Sequence, residues 1–260
     1  MATPAAVRVW ETNLAGYKRI WRSNLLGSFV QPFLYLLGMG VGVGALIDRG
    51  PTATEVLGDV DYVSFLAPAL IATTAMLVVV QEAMWPVMDG FMWSYAYRAM
   101  AATPLEPGQV AGGVALWHAT RGLIVATGVA SVLALFPQTR SWGLLPAVAF
   151  GVLTAMAFAL PVTAWSSSRE TDQSFPAILR FAVIPMFLFA GAFYPVEQLP
   201  DWLQPVAWLT PLFHGVELCR GAVLGTLEAG AGAIHAAVLV AYALVGFVIA
   251  RRSFARRLHA

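Results

Sequence analysis

The sequence predicts an all-α, polytopic membrane protein, and three observations carry that prediction: six apolar runs long enough to cross a bilayer, few charges, and basic residues gathered at both chain ends. Of 260 residues, 59% are hydrophobic and 11% charged, and mean hydropathy is +0.72. An ordinary soluble domain carries roughly 25% charge, so water is not the main solvent of this chain. Crossing a hydrocarbon core of about 30 Å takes roughly 20 helical residues, and a helix satisfies its own backbone there.

The first predicted element is an amphipathic helix over residues 5–22. Val7, Trp10, Leu14, Tyr17 and Trp21 fall three and four apart, while Arg8, Glu11, Lys18 and Arg22 face elsewhere. Such a helix lies in the membrane interface with its aromatics at headgroup depth. Its role is anchoring, or anchoring together with contact to a cytoplasmic partner. The six predicted spans follow: Leu25 to Ile47, Tyr62 to Ala83, Gln109 to Phe136, Trp142 to Trp165, Phe175 to Phe193 and Ala231 to Ala250. The first is too long for the apolar region of a secretory signal and lacks a small-residue cleavage site, so it is expected to remain as an anchor. Residues 196–220 are also apolar, but Pro200, Pro205 and Pro211 divide them into pieces too short to span. They read as two short helices dipping back into the membrane.

Basic residues set the orientation. Arg8, Lys18, Arg19 and Arg22 precede the first span and Arg251, Arg252, Arg256 and Arg257 follow the last, which places both ends in the cytoplasm. Asp48, Glu55, Asp59 and Asp61 then fall in the first outer loop, and Arg98 and Arg169 in inner loops. Arg49, Arg140 and Arg220 fall outside, against the trend.

The composition also excludes functions. A net charge of +1 with scattered Lys and Arg gives no basic face for nucleic acid. Cys219 is the only cysteine, so no intrachain disulfide or thiolate metal cluster forms, and it reads as a small buried hydrophobe. The one lysine, Lys18, lies between Tyr17 and Arg19, so the chain has no phosphate-cradling P-loop. His118, His214, His235 and His259 lack the three- or four-residue spacing of a helical metal site. No serine sits in a GxSxG elbow. The chain is therefore expected to be neither an enzyme nor a metalloprotein.

Polar groups within the spans are the informative ones. His118 and Arg121 share a face of the third span, and a charge at that depth needs a partner or a wet cavity. Glu82, near the end of the second span, is the partner expected for Arg121. Two roles stay open, an interhelical ion pair and a pathway-lining cation that meets an anionic substrate. Gly38, Gly40, Gly42 and Gly44 form two overlapping GxxxG pairs, which favour close helix packing. The loop over 84–107 holds Phe91, Trp93, Tyr95 and Tyr97 beside Asp89 and Arg98. It reads either as a membrane aromatic belt or as a short cytoplasmic helix docking a partner protein.

The run GAFYPVEQLPDWLQPVAWLTPLFHGVELCRG, residues 191–221, resembles the hallmark region of ABC type-2 exporter permeases. The 84–107 loop is similar to the coupling helix of that family, and the order of segments agrees along nearly the whole chain. Within the family the chain is most similar to the branch of nodulation lipooligosaccharide and daunorubicin-type drug exporters. The resemblance implies a single permease domain over 1–260, with a re-entrant hairpin at 194–220 between spans five and six. It implies twelve spans in a homodimer or heterodimer, in a bacterial inner membrane. Two copies of a separate ATP-binding subunit would carry ATP and Mg, with no cofactor in this chain. By position, Phe91, Trp93, Tyr95 and Arg98 would couple to the ATPase, and Tyr194, Pro195, Pro200 and Trp202 would shape an outer gate. No aromatic row of the kind expected for long polysaccharides is evident, which favours an amphipathic, lipid-linked or drug-like substrate.

An ion-gradient-driven secondary transporter and a membrane scaffold are the alternatives. The first would be expected to carry coupling acids near the midplane, of which the spans show few. The second needs neither a coupling loop nor a buried arginine.

Overall fold

The computed structural model describes residues 4–50, 57 and 60–259. Glu55 and Asp59 of the predicted first outer loop lie outside the described residues. The chain is helical, with no strand among the described residues. Helix α1 (Ala5–Tyr35) runs through a π-helical stretch, Leu36–Val43, into α2 (Gly44–Ile47). Then come α3 (Tyr62–Met92), the short α4 (Ala96–Ala101), α5 (Pro107–Leu133) and α6 (Leu144–Ser166). Next are α7 (Phe175–Ile178), a π-turn at Leu179–Val183, and α8 (Ile184–Phe189). A 3-10 turn at Val196–Gln198 leads to α9 (Gln204–Leu209), α10 (Pro211–Leu224) and α11 (Ala229–His259).

Among the described residues, five helical stretches are long and apolar enough to cross a membrane: Phe29–Ile47, α3, α5, α6 and α11. The stretch Phe175–Phe189 is apolar but shorter. It stops before the predicted limit at Phe193, because the backbone turns out of the helix at Ala190 and Gly191 takes φ +78°.

Helix α3 is the centre of the bundle. From Tyr62 to Val80 it carries apolar side chains on every face, as a largely buried helix does, and Leu70, Ile71, Met76, Val79 and Val80 are buried. They join a core with Leu36, Val125, Val129, Phe158, Phe175 and Leu212. Asp61 caps α3, its carboxylate accepting from the Ser64 amide at 3.2 Å and the Ser64 hydroxyl at 2.6 Å. At its other end α3 continues past the predicted limit at Ala83 to Met92, with Pro86 inside the helix. Pro86 takes one backbone bond from the helix, and the Ser166 hydroxyl donates to the neighbouring Ala83 carbonyl at 2.5 Å. Helix α11 sits at the opposite extreme, exposing Val240, Leu244, Val245, Val248 and Ile249 along one side.

Small residues set the close approaches. Gly246 of α11 lies against Pro161, Gly215 of α10 against Thr154, and Gly113 of α5 against Val9. Of the two GxxxG pairs, Gly40 and Gly44 face α3, at Val63 and Tyr62, while Gly38 has open space around it.

The stretch 5–22 predicted as an interface helix forms the first part of α1, which continues without a break to Tyr35. Part of its aromatic face packs on α5, with the Trp10 indole donating to Thr120 Oγ1 at 2.8 Å and Tyr17 against Trp117, while Trp21 is exposed, and Val9 beside that face is buried against Gly113. Gly113→Leu is expected to push α1 off α5 and to cost about 1–3 kcal/mol. Thermal unfolding in detergent checks this, and an unchanged midpoint would show that α1 does not depend on that contact.

Residues 190–224 fold against one half of α6. Gly143 abuts Ala222, the Cys219 thiol reaches the Ala147 carbonyl at 3.5 Å, and Gly215 meets Thr154, so α10 runs antiparallel beside the Leu144 half of α6. Between α9 and α10 the chain is extended at Thr210, whose hydroxyl accepts from the Phe213 amide at 3.4 Å, and Pro211 starts α10. Arg220, expected in an outer loop, is instead buried. Its Nε donates to the Phe65 carbonyl at 3.2 Å and its Nη2 to the Gly191 carbonyl at 2.6 Å, while Nη1 pairs with Glu217 at 2.6 Å. This side chain ties α10 to the start of α3.

The N-terminal turns of α1 and the C-terminal turns of α11 lie at the same end of the bundle as α4, since Val9 meets Gly113 and Phe254 meets Phe91.

Candidate functional site

At that end, α3 turns into α4 over three residues. The Asp89 carbonyl accepts from the Trp93 amide at 3.1 Å, the Ser94 amide at 2.9 Å and the Ser94 hydroxyl at 3.0 Å. Tyr95 then takes φ +53°, a left-handed conformation that costs a non-glycine residue about 1 kcal/mol or more. The turn sends Trp93 and Tyr95 outward, 55% and 50% exposed. Arg98, also exposed, sets its guanidinium over the Tyr95 ring at 5.4 Å.

Phe91 was grouped with these residues from sequence, but it points the other way and is fully buried. It meets Tyr97 at 4.9 Å and Phe254 at 4.8 Å between ring centroids, and Tyr97 meets Phe254 at 5.3 Å. The Arg257 guanidinium stacks on Phe91 at 4.4 Å and donates to the Ser167 carbonyl at 2.7 Å. Gly90 leaves the space that Tyr97 fills. Burial pushes the Tyr97 phenol well above its usual range, the Asp89 and Glu82 carboxylates adding to the effect, so it stays neutral. The result is a short helix clamped on one side to α3 and α11, with a bare surface of two aromatics and a cation on the other. Phe254→Ala is expected to cost about 3–5 kcal/mol and to loosen α4. Faster proteolysis at residues 93–104 checks it; an unchanged cleavage rate would mean that α4 is held by other contacts.

The second polar cluster lies inside the helices. Arg121 Nε pairs with Glu82 Oε1 at 2.8 Å, and both side chains are largely buried. Arg121 Nη2 donates to Asn24 Oδ1 at 3.3 Å, its guanidinium lies 4.6 Å from the Tyr17 ring centroid, and the Trp117 indole donates to Glu82 Oε2 at 3.4 Å. Helices α1, α3 and α5 therefore meet on one ion pair. Arg121 Nη1 and the Tyr17 hydroxyl are buried there without a hydrogen-bond partner among the described residues. His118 shares the face of Arg121 but not its partners, bonding instead through Nε2 to Thr163 Oγ1 of α6 at 3.0 Å.

The proposed gate residues are dispersed. Tyr194 packs on Val196, Leu199 and Ala207, Pro195 opens the 3-10 turn, Pro200 is exposed, and Trp202 is 75% exposed. Beneath them, a cavity of about 620 Å³ opens between α6, α8, α9 and α11, walled by Phe158, Pro161, Phe181, Met186, Phe189 and Tyr242. Its lining is predominantly apolar.

Several members of these clusters were not singled out from sequence. Phe254, Arg257 and Asn24 reach their partners from distant helices, and no spacing rule links them. Tyr17, Trp117 and Tyr97 carried only an aromatic signal. His214 and His235, on α10 and α11, bring their Nδ1 atoms to 2.7 Å, a contact that helical spacing within one element does not reveal.

A multi-pass bundle with a clamped, outward-facing aromatic and cationic helix at one end, and a broken helix pair against half a span at the other, is built as a membrane transport permease. The chain matches the ABC-2 type transporter family over residues 6–224 and belongs to that family. It is similar to Nodulation protein J of Rhizobium leguminosarum bv. viciae, with 31% identity over 96% of this chain and 93% of the relative. Nodulation protein J of Rhizobium meliloti (strain 1021) shows 29% identity over 97% and 93%. The Inner membrane transport permease YadH of Escherichia coli (strain K12) shows 26% identity over 84% and 82%. As a permease of this family the chain is a transport component, not a catalyst.

Proposed function

We propose that this chain is the membrane-spanning subunit of an ATP-driven exporter, carrying an amphipathic, lipid-linked, glycolipid or drug-like molecule outward from the cytoplasmic side. The observation that carries the reading is the surface of Trp93, Tyr95 and Arg98 on a helix locked from behind by Phe91, Tyr97 and Phe254. Aromatic and arginine side chains supply most of the energy at protein interfaces, and a rigid display spares the cost of ordering them on binding. Two ATP-binding subunits, holding ATP and Mg, would each dock on one such helix of a permease pair, most simply two copies of this chain. Movement at α4 would pass straight into α3, whose buried residues run through the main core.

The bundle then has six crossings per chain, with Phe175–Phe189 as the fifth. Trp85 stacks on Phe175 at 5.5 Å, and Arg220 bridges the Gly191 and Phe65 carbonyls, so residues 175–191 run beside α3 from Trp85 to Phe65. Helices α9 and α10 form the re-entrant hairpin, and Tyr194, Pro195, Pro200 and Trp202 edge the outer gate. The α4 end, rich in arginine, faces the cytoplasm of a bacterial cell, with both chain ends there. The apolar cavity beneath the hairpin suits an alkyl or acyl portion of the cargo.

Copurification of this chain in nanodiscs with candidate ATP-binding subunits tests the proposal. A stable complex whose ATP turnover changes on assembly is the expected result. A folded permease that retains no ATP-binding subunit, and alters no turnover, would favour a gradient-driven transporter or a scaffold.

A further inference from the structure

The last turns of α11 carry more positive charge than the proposed coupling surface uses. Helix α11 has 31 residues, about 46 Å at 1.5 Å per residue, while a hydrocarbon core is about 30 Å thick. Its arginine-bearing turns therefore project from the apolar zone into the headgroup region. They also border a cavity of about 660 Å³ between α6 and α11.

The walls of this cavity divide by chemistry. Pro161, Ala164, Trp165 and Ile249 form an apolar floor, whereas Arg252, Arg256 and Arg257 form a cationic rim with Ser167 and Ser168 beside them. Arg252 and Arg256 are one helical turn apart, both exposed, so they address the same side of α11. Arg257 is fixed in place by the Phe91 ring and the Ser167 carbonyl. The Ser253 and Ser167 hydroxyls bond to each other at 2.8 Å and hold the two helices in register below the rim. Among the described residues one carboxylate, Glu170, also lines the cavity, which sets three cations against one anion there.

We infer that this cavity binds an anionic phospholipid, with its phosphate on the Arg252, Arg256 and Arg257 rim and an acyl chain along Pro161, Ala164, Trp165 and Ile249. An apolar floor inside the span and a cationic rim at the headgroup level match both halves of such a lipid, and basic pockets between helices at this depth select acidic headgroups. A soluble anion would use only the rim. A zwitterionic lipid would fill the floor but set its own cation against the arginines.

The test is thermal unfolding of the full chain in dodecyl maltoside with added dioleoyl phosphatidylglycerol, dioleoyl phosphatidylcholine or inorganic phosphate, on the native chain, Arg252→Ala/Arg256→Ala and Arg252→Lys/Arg256→Lys. Both altered residues are exposed, so the variants are expected to fold, and near-native unfolding midpoints without lipid verify it. At saturation, phosphatidylglycerol is expected to raise the native midpoint by about 5 °C. The alanine variant should lose most of that shift and the lysine variant should keep a good part of it. Phosphatidylcholine and phosphate should each give little. An equal response to phosphatidylcholine would overturn the headgroup assignment, and an equal response to phosphate would make the rim a simple anion site. A phosphatidylglycerol shift undiminished in the alanine variant would place the lipid elsewhere. If the alanine variant keeps the lipid shift but no longer retains the ATP-binding subunit, the rim is a protein contact and the inference fails.

Discussion

Replacing Trp93 and Arg98 together by alanine is expected to abolish retention of the ATP-binding subunit while the permease still inserts and folds. Both side chains are exposed and neither holds the bundle together, so truncation removes contact surface without opening a cavity. Interface hot spots of these types cost about 2 kcal/mol or more each, which makes the pair worth roughly a thousandfold in affinity if the two add. The clamp behind them supplies the control. Phe91 and Tyr97 are buried on the opposite side of the turn, so their truncation should lower stability first and binding as a consequence. Copurification measured beside the unfolding midpoint separates the two effects. Unchanged retention in Trp93→Ala/Arg98→Ala would reject the docking role.

Arg121→Ala carries the second large effect. It leaves the Glu82 carboxylate inside the helices without its cation and removes the group that joins Asn24 and Tyr17 to α3. Breaking a buried pair from one side costs about 3–5 kcal/mol, which corresponds to a fall in the unfolding midpoint of about 10 °C. Yield and transport should fall with it. Glu82→Leu/Arg121→Leu, which removes both charges, should recover much of the lost stability, because the penalty comes from the unpaired partner more than from the absence of the pair. Transport lost at an unchanged midpoint would contradict a structural role and put Arg121 on the cargo pathway.

The spanning helices were legible because an apolar run of fixed length is what a bilayer demands, and α3, α5, α6 and α11 follow from that requirement. Their limits were less so. Gln81 and Glu82 mark an end to the apolar run of α3, but Arg121 neutralises Glu82 inside the protein, so the helix goes on to Met92. Similarly, the aromatic face of residues 5–22 shows an amphipathic helix, but not that Trp10 and Tyr17 rest on Thr120 and Trp117 of α5 while Trp21 stays exposed. Within the proposed coupling surface, composition marked an aromatic stretch but not which way each ring points. That depends on the turn around the Asp89 carbonyl and on Phe254, contributed from the far end of the sequence. Glu82 and Arg121 could be matched in advance because an intramembrane cation requires an anion and few are on offer. The contributions of Asn24, Tyr17 and Trp117 depend on helix packing that no local pattern encodes.

The central claim is that the Trp93, Tyr95 and Arg98 surface carries the ATP-binding subunit. Its most direct test is site-specific photocrosslinking from a maleimide-linked probe attached through Tyr95→Cys, in a Cys219→Ser background, with Trp202→Cys as the opposite-end control. Attachment at 95 is expected to trap the ATP-binding subunit in the assembled complex, with attachment at 202 trapping none. Capture from 202 and not from 95 would contradict the account.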